Sequence, residues 1–303
     1  MTEMTNSHNI LQRNQTTCVR GISVLLIAVF HVLLEFNVPR YFNLTGSVCV
    51  AAFLFLSGFG INESYKKSGL NQYWYKRFKR IILPYTLFIT ILIPFTPKFS
   101  WKDYLFDITY IHSSYWFIEY LVWNYLIYWI AQRFLSKYLL IVFFLFGFVG
   151  LNIFMQMEAE QSFSFVTGII VSQHIGQLRQ INKGLIAKYA IASFIFGFFF
   201  LLLKEIPAIH SYKGTIVYNY ILLLIKLPMA IPLLLLPSYV PLFLRSRLLH
   251  LCGIASLEIY LIHLALINLV SMSFVYLLSY TVLTIVLSYL FYQINNKLLM
   301  RII

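Results

Sequence analysis

Long apolar runs alternate with short polar stretches along the whole chain. A helix that crosses a membrane needs about 20 mostly apolar residues. The pattern therefore predicts ten membrane-spanning helices, of which the sixth is short. The predicted spans are residues 20–38, 45–62, 81–97, 115–131, 138–155, 163–177, 188–203, 215–236, 251–270 and 274–294.

The distribution of basic residues predicts how these helices are oriented. If the N-terminus is cytoplasmic, seventeen of the 23 Lys and Arg residues fall in cytoplasmic segments and five in outer loops, and Lys226 lies within the eighth span. Membrane proteins keep an excess of Lys and Arg in their cytoplasmic loops. We therefore expect an all-α, polytopic integral membrane helix bundle with about ten transmembrane helices and with both termini in the cytoplasm.

Composition excludes a water-soluble globule. Hydrophobic residues make up 60% of the chain and charged residues only 11%, whereas soluble domains carry about 25% charged residues. The excess of Lys and Arg in the cytoplasmic loops then explains the net charge of +13. We therefore expect no nucleic-acid partner. Cys18, Cys49 and Cys252 have no paired spacing, so we expect neither a disulfide framework nor a metal site.

The apolar runs leave little chain for a separate domain. We expect one membrane domain over residues 1–303, with residues 1–19 as a cytoplasmic tail and no appended soluble domain. The first 20 residues are polar and precede the first apolar run. This pattern predicts no cleavable signal peptide, so the first span is expected to act as an uncleaved anchor.

Ionisable side chains at membrane depth are costly and are candidate functional residues. Lys226 needs a partner there, which the sequence does not identify, and His174 lies near a span end and is expected to be structural. The candidates are His31, Glu35, Glu119, His174, Lys226, Glu258 and His263.

The first span carries Arg20 and His31, eleven residues apart. At 100° and 1.5 Å per residue, they lie on one helix face about 16 Å apart. Arg20 would sit at the cytoplasmic mouth and His31 near the bilayer midplane, which suits a long ligand with an anionic head and a reactive far end. The alternative is an Arg that snorkels to the interface and a His bonded to a neighbouring helix.

Two further segments combine small or basic residues with candidate chemistry. The second span ends in Phe-Leu-Phe-Leu-Ser57-Gly58-Phe-Gly, where small residues allow close approach of a helix or a ligand. The following cytoplasmic loop carries Arg77 and Arg80, which share a face if the loop is helical. Arg side chains match phosphate oxygens in pairs, although the cluster could equally set topology or contact anionic lipid.

Candidate residues also lie in the fourth and ninth spans. Glu119 is predicted about one turn inside the outer face, where it could orient a His, bind an acceptor hydroxyl or make a structural hydrogen bond. Ser256 and His263 are seven residues apart and share a helix face. His263 could equally form a buried interhelical bond.

Taken in order, these segments resemble the membrane acyltransferase 3 family, the O-acyltransferases of bacterial surface glycans. The resemblance covers nearly the whole chain. Family members often carry an acidic residue where this chain has Cys49-Val50-Ala51, and many add an extra-cytoplasmic hydrolase-like domain. The matching motifs are Arg20–ten residues–His31, Phe-Leu-Phe-Leu-Ser-Gly-Phe at 53–59, Arg77-x-x-Arg80 before Pro84, Tyr115-Trp116-Phe117, Phe165-x-x-Gly168 and Ser256-x-x-x-Tyr260-Leu-Ile-His263.

The resemblance implies an O-acyltransferase, with acetyl as the expected group, in a bacterial plasma membrane. Cytoplasmic acetyl-CoA or another acyl-CoA would be the donor substrate, with no permanently bound cofactor, and a surface glycan or its lipid-linked precursor would be the acceptor. His31 would act as general base or take the acyl group itself.

The same resemblance assigns supporting roles to the other candidates. Arg20, Arg77, Arg80, Ser57 and Gly58 would bind the donor. Glu35 and Glu119 would assist His31 or the acceptor. Trp116, Tyr260 and His263 would contact the acceptor or support the site.

Two other functions are compatible with the same residues. A polytopic exporter would move a glycan or lipid intermediate without acyl transfer, but exporters often show internal repeats, and none is visible here. A membrane sensor or assembly partner would use the buried His only structurally. The sequence does not determine the acyl group, the acceptor sugar or the oligomeric state.

Overall fold

The structure is a computed structural model that describes residues 10–35, 43–95, 100–154, 156–267 and 274–301. Throughout these residues the regular secondary structure is helical, which confirms the all-α prediction. Residues 1–9 of the predicted tail, and Arg40 and Lys98 of the predicted outer loops, lie outside the described residues.

The helical segments include a π-helical turn at Phe78–Ile82 and 3-10 turns at Ile93–Phe95 and Ser136–Tyr138. In chain order, the helices are α1 (Arg13–Glu35), α2 (Asn43–Ser68), α3 (Tyr73–Arg77), α4 (Leu83–Leu92), α5 (Trp101–Thr109), α6 (Trp116–Phe134), α7 (Leu139–Ile153), α8 (Gln156–Ala159), α9 (Ser164–Gln173), α10 (Ile175–Leu178), α11 (Lys183–Lys204), α12 (Pro207–His210), α13 (Ile216–Tyr239), α14 (Leu242–Arg245), α15 (Arg247–Ile254), α16 (Ser256–Leu266) and α17 (Phe274–Arg301).

A helix lies in each of the ten predicted spans. α9 has only 10 residues, and the ninth span is broken at Ala255, where α15 and α16 meet at 82°. The number of ten spans and the cytoplasmic position of both termini therefore stay predictions. Among the described residues, six helical segments are long and apolar enough to cross a membrane, or seven if the bent pair α15–α16 counts as one: Arg13–Leu34, Leu44–Ser68, Tyr73–Phe95, Ser136–Ile153, Lys183–Lys204 and Ile216–Tyr239.

The chain forms two compact units. The first comprises Met1–Ser64 and Phe143–Ser256, and the second comprises Tyr65–Val142 and Leu257–Ile303. The first unit therefore contains α1, most of α2 and of α7, and α8 to α15. The second contains α3 to α6, most of α16, and α17.

Reciprocal glycine contacts bring helix backbones together in the first unit. A Cβ on Gly58 of α2 would overlap the carbonyl oxygen of Phe165 in α9, and a Cβ on Gly168 of α9 would overlap that of Phe55 in α2. α1 and α15 meet through Gly21 and Gly253 in the same way. Small residues at such crossings let helices approach closely where lipid supplies no hydrophobic force between them.

Helix α13 tolerates three internal prolines, Pro228, Pro232 and Pro237. Pro232 has no N–H for the carbonyl of Pro228, four residues earlier. The Ser193 hydroxyl of α11 donates a 2.9 Å hydrogen bond to that carbonyl. The neighbouring helix thus satisfies the carbonyl group that the proline leaves without its usual helical donor.

The core of the second unit is aromatic. Tyr85 and Phe88 of α4 lie with ring centroids 5.8 and 6.0 Å from Tyr115 at the start of α6. Phe88 also lies 6.0 Å from Phe291 of α17. Edge contacts of this kind add stability beyond the apolar area that they bury, and here they join α4, α6 and α17.

Candidate active site

His31 lies in an uninterrupted helix, because α1 runs from Arg13 to Glu35 without a break. Its Nδ1 lies 2.9 Å from the carbonyl oxygen of Ile27. A carbonyl can only accept, so Nδ1 must donate, and in a neutral imidazole this assigns the basic lone pair to Nε2. The half-buried ring therefore carries its basic nitrogen on the side away from its own helix backbone.

The helix α2 packs beside this histidine. The ring of Phe30 lies edge-on to His31, with centroids 5.0 Å apart. A Cβ on Gly46 of α2 would lie only 2.7 Å from Cγ of Phe30. Gly46 therefore lets the Phe30 ring sit against α2, and this contact supports the His31 ring from one side.

Arg20 lies eleven residues before His31 on the same helix and is half-buried. Its Nη2 lies 3.9 Å from the position that a Cβ on Gly60 would occupy. The structure thus brings together the basic residue of the first span and the end of the second-span motif.

Ser57 and Gly58 belong to the same motif, and the structure assigns the glycine a packing contact. Gly58 is buried against the backbone of Phe165 in α9. Ser57 is half-buried. The need for a close helix crossing therefore accounts for Gly58, and its predicted contact with the donor stays a prediction, as does that of Ser57.

Polar side chains that the sequence analysis did not select join the ends of α2 and α9. Asn62 Nδ2 donates a 2.9 Å hydrogen bond to the Ser172 hydroxyl. That hydroxyl donates a 2.8 Å bond to Oε1 of Glu63. Asn62 and Ser172 are 3% and 0% exposed. The signal in the sequence is the polar pair Asn62–Glu63, which begins two residues after Gly60 and straddles the predicted end of the second span at residue 62.

Glu35 is the last residue of α1. Its side chain lies outside the described part of the structure, so its predicted role beside His31 stays a prediction.

Arg77 and Arg80 lie in the second unit and have different surroundings. Arg77 ends α3, donates from Nη1 to the carbonyl of Tyr73 at 3.1 Å, and lies with its guanidinium 4.2 Å from the Tyr73 ring centroid. Arg80 is exposed and belongs to the π-helical turn Phe78–Ile82. Such turns are rare and often occur at functional sites. The segment is helical, as the prediction that Arg77 and Arg80 share a face requires. However, the π-helical turn changes the regular α-helical spacing between these two residues.

The Glu119 carboxylate holds the loop that precedes α6. Its Oε2 accepts a 2.6 Å bond from the backbone N–H of Ser113, and its Oε1 accepts a 3.2 Å bond from that of His112. His112 and Tyr110 have φ angles of 54° and 57°, which are costly for non-glycine residues. These contacts support the structural alternative for Glu119, and its predicted part in catalysis stays a prediction.

Asp107 holds the same loop from the other side. Its Oδ1 accepts hydrogen bonds from the Ser113 hydroxyl at 3.0 Å and from the Ser114 backbone N–H at 2.7 Å. Trp116, which begins α6, is half-buried. Two carboxylates thus fix the backbone that leads into Trp116.

Tyr260 and His263 lie in the buried aromatic core of the second unit. The Tyr260 ring lies 5.3 Å from that of Phe117 and 5.6 Å from that of His263. His263 is 0% exposed, and its Nδ1 donates to the carbonyl of Ile259 at 2.9 Å. This burial fits a supporting role for both residues.

The partner of Lys226, which the sequence did not identify, is Glu160. The two side chains form an ion pair and are 6% and 8% exposed. Glu160 follows the short helix α8, in the polar stretch between the fifth and sixth predicted spans. Its neighbour Gln161 donates from Nε2 to the carbonyl of Ser47 at 3.0 Å, so this stretch is packed against both α13 and α2. No group of three or more His, Cys, Asp or Glu side chains that could hold a metal ion occurs among the described residues.

Comparison with known proteins gives one match that covers nearly all of these residues. The model of the acyltransferase domain that defines the acyltransferase 3 family matches residues 15–293. No curated protein and no solved structure matches the chain.

Proposed function

The chain belongs to the acyltransferase 3 family, and from this membership we propose that it is a membrane-bound O-acyltransferase. The proposed reaction moves an acyl group, with acetyl as the first choice, from cytoplasmic acyl-CoA to a hydroxyl of a cell-surface polysaccharide or its lipid-linked precursor. In this proposal the protein crosses a bacterial plasma membrane ten times, and both of its termini are cytoplasmic.

The geometry of His31 is the observation that carries this proposal. The hydrogen bond from Nδ1 to the carbonyl of Ile27 assigns the lone pair to Nε2, which is the nitrogen a general base or nucleophile uses. His263 makes the same contact with its own helix but is 0% exposed, whereas His31 is half-buried and shares its helix with Arg20. Arg20, on the same helix, supplies a cation where an acyl-CoA would place its phosphates.

Each bond and each proton can be followed through the proposed reaction. Nε2 of His31 takes the proton of the acceptor hydroxyl while the oxygen attacks the thioester carbonyl. The carbon–sulfur bond then breaks, and the departing CoA thiolate recovers a proton from the imidazolium. In the alternative route Nε2 attacks the thioester first, the carbon–sulfur bond breaks, and the CoA thiolate leaves an acyl-imidazolium. The acceptor oxygen then attacks the acyl carbon, the bond to Nε2 breaks, and the hydroxyl proton passes to the thiolate. Both routes use the same nitrogen.

Other family-based assignments stay predictions. Arg77 and Arg80 are the cations of the second unit that the resemblance assigns to donor phosphates. The stacking of Arg77 on Tyr73 orients its planar guanidinium, which favours paired contacts to phosphate oxygens. Trp116 is assigned to the acceptor.

The proposal is tested by measuring base-labile acetate on the surface glycan of a strain that lacks the gene. The strain is rescued with wild type, with His31→Ala, or with His174→Ala as a matched control. His174 is exposed and contacts Gln177. We expect wild type and His174→Ala to restore the acetate, and His31→Ala, at equal membrane level, not to restore it.

Two other outcomes would contradict parts of the proposal. If His31→Ala restores the acetate as well as wild type does, His31 is structural and the site assignment is wrong. If deletion leaves the acetate unchanged, acetyl transfer to this glycan is wrong, and transport without chemistry becomes the better account.

A further inference from the structure

A polar cluster lies where the ends of α2 and α9 meet, and Arg20 approaches α2 one turn before it. The cluster consists of Asn62 and Glu63 of α2 and Ser172 of α9. It comes directly after the crossing of these helices at Gly58 and Gly168. The close crossing fixes where the two polar helix ends meet.

The helix geometry directs Glu63 toward Arg20. Glu63 follows Gly60 by three residues within α2, so the two positions share a face, about 5–6 Å apart between Cβ atoms. Side chains on a helix lean toward its N-terminus and cover the preceding turn. The turn that Glu63 covers contains Gly60, and Nη2 of Arg20 lies 3.9 Å from the Cβ position of that glycine.

The position of the Glu63 carboxylate is fixed by its neighbours. Oε1 accepts the 2.8 Å hydrogen bond from the Ser172 hydroxyl. Ser172 is itself held by the 2.9 Å bond from Asn62, and both of these side chains are buried. A buried hydroxyl that accepts one bond and donates another has a defined orientation, so the carboxylate that it contacts is held as well.

We propose that Glu63 is a positioning residue, held by Ser172, that orients the Arg20 guanidinium to bind a phosphate of the acyl-CoA donor. The inference rests on the proposed function. A guanidinium carries five N–H donors in a rigid fork, which can bind a carboxylate on one edge and a phosphate on another. The carboxylate also lowers the cost of placing a cation at the edge of the membrane.

The test compares two donors that differ in their phosphates. Acetyl-CoA carries phosphates, and S-acetylpantetheine carries the same thioester without them. Initial rates of thiol release are measured in inside-out vesicles that contain the full chain and the membrane's own acceptor, and are corrected with vesicles that lack the chain. The variants are Glu63→Gln, Ser172→Ala and, as a matched control, Glu205→Gln. Glu205 is 54% exposed and pairs with Lys204.

We expect Glu63→Gln to raise the KM for acetyl-CoA about tenfold, because a charge-assisted contact that orients the guanidinium is lost. The KM for S-acetylpantetheine and both kcat values should stay within about twofold. Ser172→Ala should shift the KM for acetyl-CoA in the same direction by a smaller factor, and Glu205→Gln should shift neither KM. In an Arg20→Ala background, Glu63→Gln should have no further effect.

The inference is overturned if Glu63→Gln changes the KM of both donors equally or of neither while wild type is active. Should Glu63→Gln fail to reach the membrane, Ser172→Ala decides by the same criterion, because it keeps the charge of Glu63. If wild type releases thiol from neither donor above the vesicle background, the proposed function fails, and the inference fails with it.

Discussion

At the scale of single residues, hydrogen bonds distinguish candidates that look alike in sequence. Glu119 and Glu63 are both carboxylates near a predicted span end, but Glu119 accepts two backbone N–H groups of a strained loop. Glu63 accepts a hydrogen bond from a buried hydroxyl and lies one turn after Gly60, whose Cβ position is 3.9 Å from Nη2 of Arg20. The first arrangement stabilises a backbone, whereas the second can orient a functional cation.

The ion pair of Lys226 and Glu160 gives a prediction about stability. Lys226→Ala should lower the free energy of unfolding by about 3–5 kcal/mol, because it leaves the buried Glu160 carboxylate without its partner. The double variant Lys226→Met with Glu160→Gln should recover most of this loss, since it removes both charges and keeps the volume. Thermal unfolding of the purified protein in detergent measures both effects. A double variant as unstable as Lys226→Ala alone would contradict this account.

Residue-level partners of this kind could not be predicted from the sequence. Lys226 and Glu160 are far apart in the chain, and Glu160 lies in a short polar stretch that resembles an ordinary loop. Only the packing of that stretch against α2 and α13 makes its carboxylate a buried partner. The need for a partner was predictable from the cost of a cation in lipid, and its identity was not.

At the scale of helices, the apolar pattern predicts positions well and interruptions poorly. Each predicted span contains a helix, because a run of apolar residues in lipid must satisfy its backbone within the helix. The break at Ala255 lies within the ninth predicted span, and the π-turn at Phe78–Ile82 straddles the start of the third. A hydropathy pattern shows where an apolar run lies and not whether its helix is bent or wound more widely, so it predicts neither feature. The proline-containing α13 was predictable, but its partner Ser193 was not.

The crossing of α2 and α9 gives a prediction at this scale. Gly58→Ala should separate the two helices, because its Cβ would overlap the carbonyl oxygen of Phe165. We expect a loss of stability of about 1–3 kcal/mol, together with reduced activity, since the same helices carry Glu63 and Ser172. Thermal unfolding and membrane level are the measurements.

Gly176→Ala is the matched control, because nothing lies within 4 Å of the Cβ position there. It should unfold at the temperature of wild type. If Gly58→Ala were as stable and as active as this control, the protein would not need the close approach of α2 and α9 at Gly58, and the prediction would be wrong.

At the scale of the whole molecule, composition and the order of the motifs are sufficient to predict the class of protein. Sparse charge and long apolar runs predict a multi-pass membrane protein, and the family match over residues 15–293 confirms the resemblance drawn from degenerate motifs. The division into two compact units was not predictable, because it depends on which helices pack together rather than on where each helix lies.

The most direct test of the central claim is acyl transfer by the protein itself. Vesicles that contain wild type, His31→Ala or His174→Ala at equal amounts are given acetyl-CoA labelled in the acetyl group, and label that enters the membrane's glycan fraction is measured. Removing a general base typically costs a factor of about 100 to 10,000. The account predicts a loss of at least about 100-fold for His31→Ala and none for His174→Ala. Equal transfer by His31→Ala and wild type would contradict it.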